Sequence, residues 1–299
     1  MHTQLGKASL VAGCLILASV TPAHAEQTTL QRIDADGVIS LGHRESSIPF
    51  SYYDDKQNVI GYSQEIALKV VDAVKVKLNK PDLKVKLTPV TSQNRIPLVT
   101  NRTIDIECGS TTNNAERAQQ VAFSNTIFVI GTRLMTRANS GIKDFPDLKG
   151  KTVVTTAGTT SERLLRKMNQ DKSMGMNIIS AKDHGESFLT LSTGRAAAFM
   201  MDDALLAGER AKSSTPNDFV IVGTPQSHEA YGCMMRKGDP EFKKVVDDAI
   251  AKVETSGEAD AIYKKWFQSP IPPKGLNLNF PPSEEIKALY KSPNDKVID

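Results

Sequence analysis

Much of what would signal an enzyme is missing from this chain. There is no G-x-S-x-G, H-E-x-x-H, P-loop or G-x-G-x-x-G pattern. Only His43, His184 and His228 lie beyond position 25, widely scattered, so no zinc site is expected. Neither sign of charge dominates: 37 basic minus 34 acidic residues leaves +3, with no basic block, which excludes the usual footprint of a nucleic-acid binder. There is no internal repeat and no low-complexity linker. Only one long apolar run is present, at the N-terminus, and it falls short of the roughly 20 residues a membrane helix needs. No cofactor or metal is expected, and the balance of these absences favours binding over catalysis.

That N-terminal run reads as an export signal. Lys7 supplies a positive start, Ala8 to Val20 is mostly apolar, and Ala23-His24-Ala25 is an A-x-A cleavage site. Cleavage there would start the mature chain at Glu26, with 299 − 25 = 274 residues and a charge of 36 − 34 = +2. A competing reading takes Val11-Ala12-Gly13-Cys14 as a lipobox; the A-x-A site favours a free periplasmic protein. An exported chain with Cys108 and Cys233 left permits one disulfide, the alternative being two buried thiols. A bridge would close a long loop, worth about 2–5 kcal/mol by chain entropy.

Strand and helix patterns alternate along the chain. Strands are predicted at 37–42, 84–90, 104–108, 151–155, 177–180, 196–201 and 219–222, with helices at 65–78, 96–99, 161–168, 184–193 and 204–212 between them. Such alternation implies α/β architecture with mostly parallel sheets. Two β-prone stretches, 126–136 and 230–236, read as crossings between lobes. The predicted organisation is therefore discontinuous: lobe 1 from residues 26–130 plus 230–299, and lobe 2 from 131–229. The segment 270–299 is expected to wrap lobe 1. Asp203 is placed as the N-cap of the 204–212 helix, leaving Asp202 a free carboxylate at a sheet edge.

Three helix starts carry hydroxyl capping candidates: Thr91-Ser92-Gln93-Asn94-Arg95, Ser110-Thr111-Thr112-Asn113-Asn114-Ala115-Glu116-Arg117 and Gly158-Thr159-Thr160-Ser161-Glu162-Arg163. Arg95 and Arg117 would oppose the helix dipole unless an anion lies there. A free amino acid presents a carboxylate, suited to a bidentate arginine, and an ammonium, suited to Asp202. Arg44, Arg95 and His184 are then cations left without partners, and a second negative group on the ligand would supply one. A dicarboxylic amino acid follows.

The stretches Gly109 to Ser124 and Gly194 to Asp202 resemble the signature of periplasmic polar amino-acid-binding proteins of ABC importers. Gly42 to Tyr53, Thr91 to Arg95 and Ser180 to Gly185 are similar to its glutamate/aspartate-binding subgroup, and the likeness runs over essentially the whole chain after residue 25. The resemblance implies a type II periplasmic binding fold, two lobes each with a mostly parallel sheet flanked by helices, joined by two hinge strands. It implies that Arg117, Thr112 and the backbone around Thr160 hold the ligand α-carboxylate. Asp202 and Ser110 would hold the ammonium. Arg44, Ser92, Arg95 and His184 would hold the side-chain carboxylate of L-glutamate or L-aspartate. The Cys108 and Cys233 pair is also the subgroup's pattern. A monomer handing its ligand to a membrane permease is expected. The rival readings are an enzyme on the same fold, similar to a cyclohexadienyl dehydratase with Glu45 or Glu186 as acid/base, and a binding protein for glutamine, asparagine or a basic amino acid.

Overall fold

The computed structural model of the protein describes residues 27–297. The readings of a signal peptide, of Cys14 as a lipobox and of a start at Glu26 lie outside the described residues. The chain opens with α1 (Thr29–Asp36), β1 (Val38–His43), a small antiparallel sheet of β2 (Ser46–Ser47), β3 (Ser51–Tyr53) and β4 (Val59–Ile60), then α2 (Tyr62–Leu78). There follow β5 (Lys84–Pro89), α3 (Arg95–Thr100), β6 (Ile106–Glu107), α4 (Ala115–Ala118) and the long β7 (Val121–Arg137). Next come β8 (Thr152–Thr156), α5 (Thr160–Asp171), β9 (Asn177–Ala181), α6 (His184–Ser192), β10 (Ala198–Asp202), α7 (Asp203–Lys212) and β11 (Phe219–Val222). The chain ends through β12 (His228–Arg236), α8 (Pro240–Thr255), α9 (Glu258–Phe267), the pair β13 (Pro270–Ile271) and β14 (Leu276–Asn277), and α10 (Glu284–Lys291).

β7 belongs to two layers of strands. Its first part runs antiparallel to β12, ending at the Gly131 to His228 pair. From Thr132 onward it pairs instead with β10, starting opposite Asp202, and with β11. On one side the order is β5, β1, β6, β12, β7, with β1 parallel to both its neighbours. On the other, β10, β8 and β9 continue outward from β7 in parallel. Two lobes therefore share one strand, and the return path crosses through residues 223–227.

The sequence explains these placements. β10 and most of β8 are apolar or hydroxyl-bearing and fully buried, as parallel strands covered on both faces must be. β5 alternates Lys84, Lys86 with Val85 and Leu87 and is almost wholly exposed, a charged edge that discourages pairing with another chain. In the first lobe an aromatic cluster sits behind the cleft: Phe50, Phe128, Tyr231 and Phe267 pack with ring centroids such as Phe50–Phe128 at 4.9 Å and Phe50–Tyr231 at 5.2 Å. The Cys108–Cys233 disulfide joins the end of β6 to β12 across 125 residues of sequence.

Two expectations need correction. Asp203 is the first residue of α7 and Asp202 occupies the cap position without donating or accepting a capping bond from its side chain, because that carboxylate is engaged elsewhere. The C-terminal segment covers the first lobe through α10, whose Ile286, Leu289 and Tyr290 are buried, but residues 271–274 also line a crevice with Gly208, Ala211 and Lys212 of α7 in the second lobe.

Candidate functional site

All nine candidate ligand residues gather where the lobes meet. Arg44 leaves the end of β1, Ser92 and Arg95 follow β5, and Ser110, Thr112 and Arg117 follow β6. From the second lobe come Thr160 at the start of α5, His184 at the start of α6 and Asp202 at the end of β10. Each is a residue just beyond the carboxyl end of a strand, where open α/β sheets bind ligands. All nine are buried; Arg44 and Arg95 are among the largest fully buried side chains of the molecule. A cavity of about 600 Å3 between the lobes reaches Ser92, Arg117 and Thr160. Arg44, Arg95, His184 and Asp202 do not line it.

The first lobe fixes its arginines with backbone and hydroxyl groups. Arg95 donates through Nη1 to the Ser110 carbonyl at 3.1 Å and to Thr111 Oγ1 at 2.5 Å. Thr111 in turn donates to Glu107 Oε2 at 2.5 Å. Arg44 Nη1 reaches Ser110 Oγ at 3.4 Å. Arg117 donates to the Thr112 carbonyl at 3.0 Å and, across the cleft, to the Gly158 carbonyl at 3.2 Å. A Cβ on Gly109 would come within 2.3 Å of Glu107 Oε1, so a larger residue there would have to displace that carboxylate.

Burial and crowding tell on these groups. Burial, then the neighbouring Arg95, brings Arg44 down to about 10. The same two causes bring Arg117 down to about 9, and burial lowers Arg95. His184 is held well below its ordinary value by burial, then by Arg44 and Arg95, so it is a neutral imidazole at pH 7. Its Nδ1 lies 2.9 Å from Thr156 Oγ1, and its Nε2 is buried without a partner among the described residues, as are Ser92 Oγ and Arg95 Nε. Arg44 and Arg95 both act on His184, so these three groups are neighbours, and Ser92 stands three residues before Arg95.

Asp202 is the acidic counterpart. Its Oδ1 accepts from Thr132 Oγ1 at 3.0 Å and Ser161 Oγ at 3.2 Å, and its Oδ2 from the Tyr231 hydroxyl. Burial, then the neighbouring Glu229, raises its pKa. Tyr231 couples this carboxylate to the aromatic cluster, so its position is set by the packed core.

Sequence reasoning missed several members of this site. Glu107 and Glu229 are buried beside the arginines, and their charges act on Arg95. The sequence reading left Arg44, Arg95 and His184 with no partner in the protein; that is corrected, because Glu107 attends both arginines and His184 is uncharged. A signal existed: in Ile104-Asp105-Ile106-Glu107-Cys108 alternation puts Asp105 and Glu107 on one face of β6, and a short strand with two acids facing inward requires cations. The dipole argument also needs revision. α3 and α4 have six and four residues, too short to carry a large macrodipole, and the arginines are held by the bonds just described. Asn114 and Thr159 cap α4 and α5 as the hydroxyl and amide pattern implied. Glu45 and Glu186, named for the enzyme reading, are exposed.

The lobes touch across the cleft at several points. Besides the Arg117 to Gly158 bond, Arg163 pairs with Glu116, and at the hinge Thr160 Oγ1 donates to Glu229 Oε2 at 2.9 Å. A Cβ on Gly208 of α7 would come within 2.2 Å of the Ile48 carbonyl oxygen.

Two α/β lobes sharing one strand, with a charged binding corner closed between them, define a hinged small-molecule binding protein. The chain belongs to the bacterial extracellular solute-binding proteins, family 3, whose model matches residues 39–269. Membership places it outside the cytoplasm. It is 65% identical over 92% of its length to the glutamate/aspartate import solute-binding protein of Salmonella typhimurium, 93% of which is covered. It is 62% identical over 97% of both chains to the L-glutamate/L-aspartate-binding protein of Pseudomonas aeruginosa. These relatives are transport binding proteins, not enzymes. Among solved structures, a mutant of ArgBP from T. maritima superposes with a TM-score of 0.69 at 27% identity, covering 80% of this chain and 99% of that one. The resemblance to polar amino-acid-binding proteins of ABC importers, and the type II periplasmic binding fold it implied, both hold.

Proposed function

We propose that this protein binds L-glutamate and L-aspartate by closing its lobes and delivers them to an ABC importer permease. The observation that carries the reading is that Ser92, Arg95 and His184 each keep a buried polar atom without a partner among the described residues, with Arg44 and Arg95 both acting on His184. A carboxylate there would accept from all of them. Arg117, Thr112 and the amides at the start of α5 receive the α-carboxylate, and Asp202 with Ser110 receives the ammonium. The side-chain carboxylate lies in the corner of Arg44, Ser92, Arg95 and His184. Groups from both lobes meet one ligand, so the ligand favours the closed state by its differential affinity for it.

The hinge of this reading lies where β7 changes partners, at residues 131–132, and in the return segment 223–228. Residues 26–130 plus 230–299 form the first lobe and 131–229 the second. The chain is exported by cleavage after Ala25 and works as a free periplasmic monomer; the intact mass of the mature protein tests that step.

Calorimetric titration of ligand-stripped protein with glutamate, aspartate, glutamine and arginine tests the function. Tight binding of the two acids alone is expected. Binding of glutamine or arginine with equal strength would mean that the cationic corner does not read a carboxylate.

A further inference from the structure

Asp202 and Glu229, the two buried acids flanking the hinge, are joined by two hydroxyls. Asp202 Oδ1 lies 3.0 Å from Thr132 Oγ1, Thr132 Oγ1 lies 2.8 Å from Ser227 Oγ, and Ser227 Oγ lies 2.8 Å from Glu229 Oε1. Thr132 stands in β7 at the outgoing crossing, and Ser227 in the return segment. The chain thus spans both crossings. The second oxygen of Glu229 takes the hydroxyl of Thr160 at the start of α5.

The hydrogens can be counted. Three contacts between oxygens need three protons, and a threonine and a serine hydroxyl supply one each. With both acids ionised, one contact would set two lone pairs against each other inside the protein. A proton on either acid completes the chain. If Asp202 carries it, Asp202 donates to Thr132, Thr132 to Ser227 and Ser227 to Glu229. If Glu229 carries it, every bond reverses. Asp202 and Glu229 are each buried, and the upward shift of Asp202 by burial and by Glu229 agrees.

We propose that Glu229 is the second carboxylate of the ammonium pocket, linked to Asp202 through Thr132 and Ser227 by a chain that holds one proton, and that the ligand ammonium displaces this proton to solvent. The inference rests on the reading of Asp202 as the ammonium site. Charge balances: one positive charge leaves as the other arrives. Ser227 is only half-buried, so the chain has an outlet at the hinge. Other charged or titratable groups act on the same acids: Tyr231 from β12, Asp203 from α7 through Tyr231, and the arginines Arg95 of α3 and Arg117 of α4. Because the proton competes with the ligand, affinity for glutamate rises with pH from the ordinary carboxylate range up to the raised value of Asp202. Glu229 also ties the ammonium end to both crossings, so occupancy is felt where the lobes rotate.

The test is calorimetry of the full mature protein with L-glutamate in buffers of different ionisation enthalpy at pH 6 and pH 8. The wild type is expected to release a proton on binding, approaching about one per ligand at pH 6 and fewer at pH 8. Glu229→Gln and Ser227→Ala should each bind glutamate with this release much reduced. Any proton taken up at His184 is common to all three proteins, so the difference isolates the chain. Equal proton counts in wild type and both variants would overturn the proposal. Asp202→Asn separates the inference from its premise. Loss of glutamate binding upholds the ammonium pocket, whereas wild-type affinity would overturn the pocket and the inference together.

Discussion

At one end of the cleft, two arginines, Arg44 and Arg95, share a buried carboxylate, Glu107, and press on a neutral histidine, His184; at the other, two buried carboxylates, Asp202 and Glu229, sit among hydroxyls. At both ends like charges are neighbours, and burial shifts both toward neutrality: the arginines down, Asp202 up. They differ in what is left unbonded. The cationic end keeps Ser92 Oγ, Arg95 Nε and His184 Nε2 free of partners among the described residues, whereas the oxygens of Asp202 and Glu229 are all engaged by hydroxyls. A corner with unmade bonds gains most from an anion of the right shape. A corner already bonded gains mainly from charge. The cationic end should therefore set which side chain is accepted, and the acidic end whether an ammonium is present.

The largest expected effect comes from removing the arginine that serves neither end alone. Arg117→Ala should weaken glutamate, aspartate and glutamine alike by about 10²-fold or more, since truncating one partner of a buried charge contact typically costs 2–5 kcal/mol. Titration calorimetry reads this directly, and a loss confined to the acids would move Arg117 into the side-chain corner. Next comes Arg95→Ala, which should lower the preference for glutamate over glutamine by about tenfold, because the charged side chain loses more than the amide. An unchanged preference would sink the assignment of the cationic end.

How much of this contrast could be read from the residues alone follows from what fixes each group. Arg44, Arg95, Arg117 and Asp202 sit next to strand ends, and strand ends are visible in alternating patterns. The β-prone run 126–136 was visible too, and it lies within one long strand, β7. The helices α1, α8, α9 and α10 were not read, although local signals were there for three of them: a Thr28–Gln31 capping box before α1, Asp239 followed by Pro240 at α8 and Ser283 before α10. Glu107 and Glu229 were missed as well. Glu229 is a lone acid in an apolar strand and Glu107 has only Asp105 beside it as a signal, and it is the pairing of β6 with β1 and β12, and of β12 with β7, that brings them beside arginines far away in sequence. Thr132 and Ser227 are ordinary hydroxyls until the hinge places them 2.8 Å apart.

A third prediction leaves both ends untouched and acts on the closure they share. Gly208 lies inside α7, where glycine costs about 1 kcal/mol against alanine in an exposed helix. Here a Cβ would strike the Ile48 carbonyl of the other lobe, an atom of backbone that cannot swing aside. Gly208→Ala should stiffen the helix yet hold the lobes apart. Affinity for every ligand should fall together by about tenfold, with the preference for glutamate over glutamine unchanged. Small-angle scattering with saturating glutamate should show a more extended molecule than the wild type. A shift in preference would mean that the contact shapes the ligand corner itself.

The smallest effect concerns a buried acid with no such chain. Glu254 on α8 is buried in the first lobe, neither of its oxygens has a partner among the described residues, and burial pushes it up to about 8. It shows what Asp202 would be without hydroxyls or ligand. Its folded-state pKa lies above the ordinary carboxylate value, so its contribution to stability is complete below about pH 4 and is lost as pH rises toward 8. Glu209, pushed up to about 7 by burial, acts in the same direction. The wild type should therefore melt at a lower temperature at pH 8 than at pH 6, and Glu254→Gln should raise the melting temperature at pH 8 and flatten the slope without changing glutamate affinity. If the slope is unchanged in this variant, the pH dependence resides in the cleft acids, and the contrast between a bonded and an unbonded buried carboxylate would have to be drawn there instead.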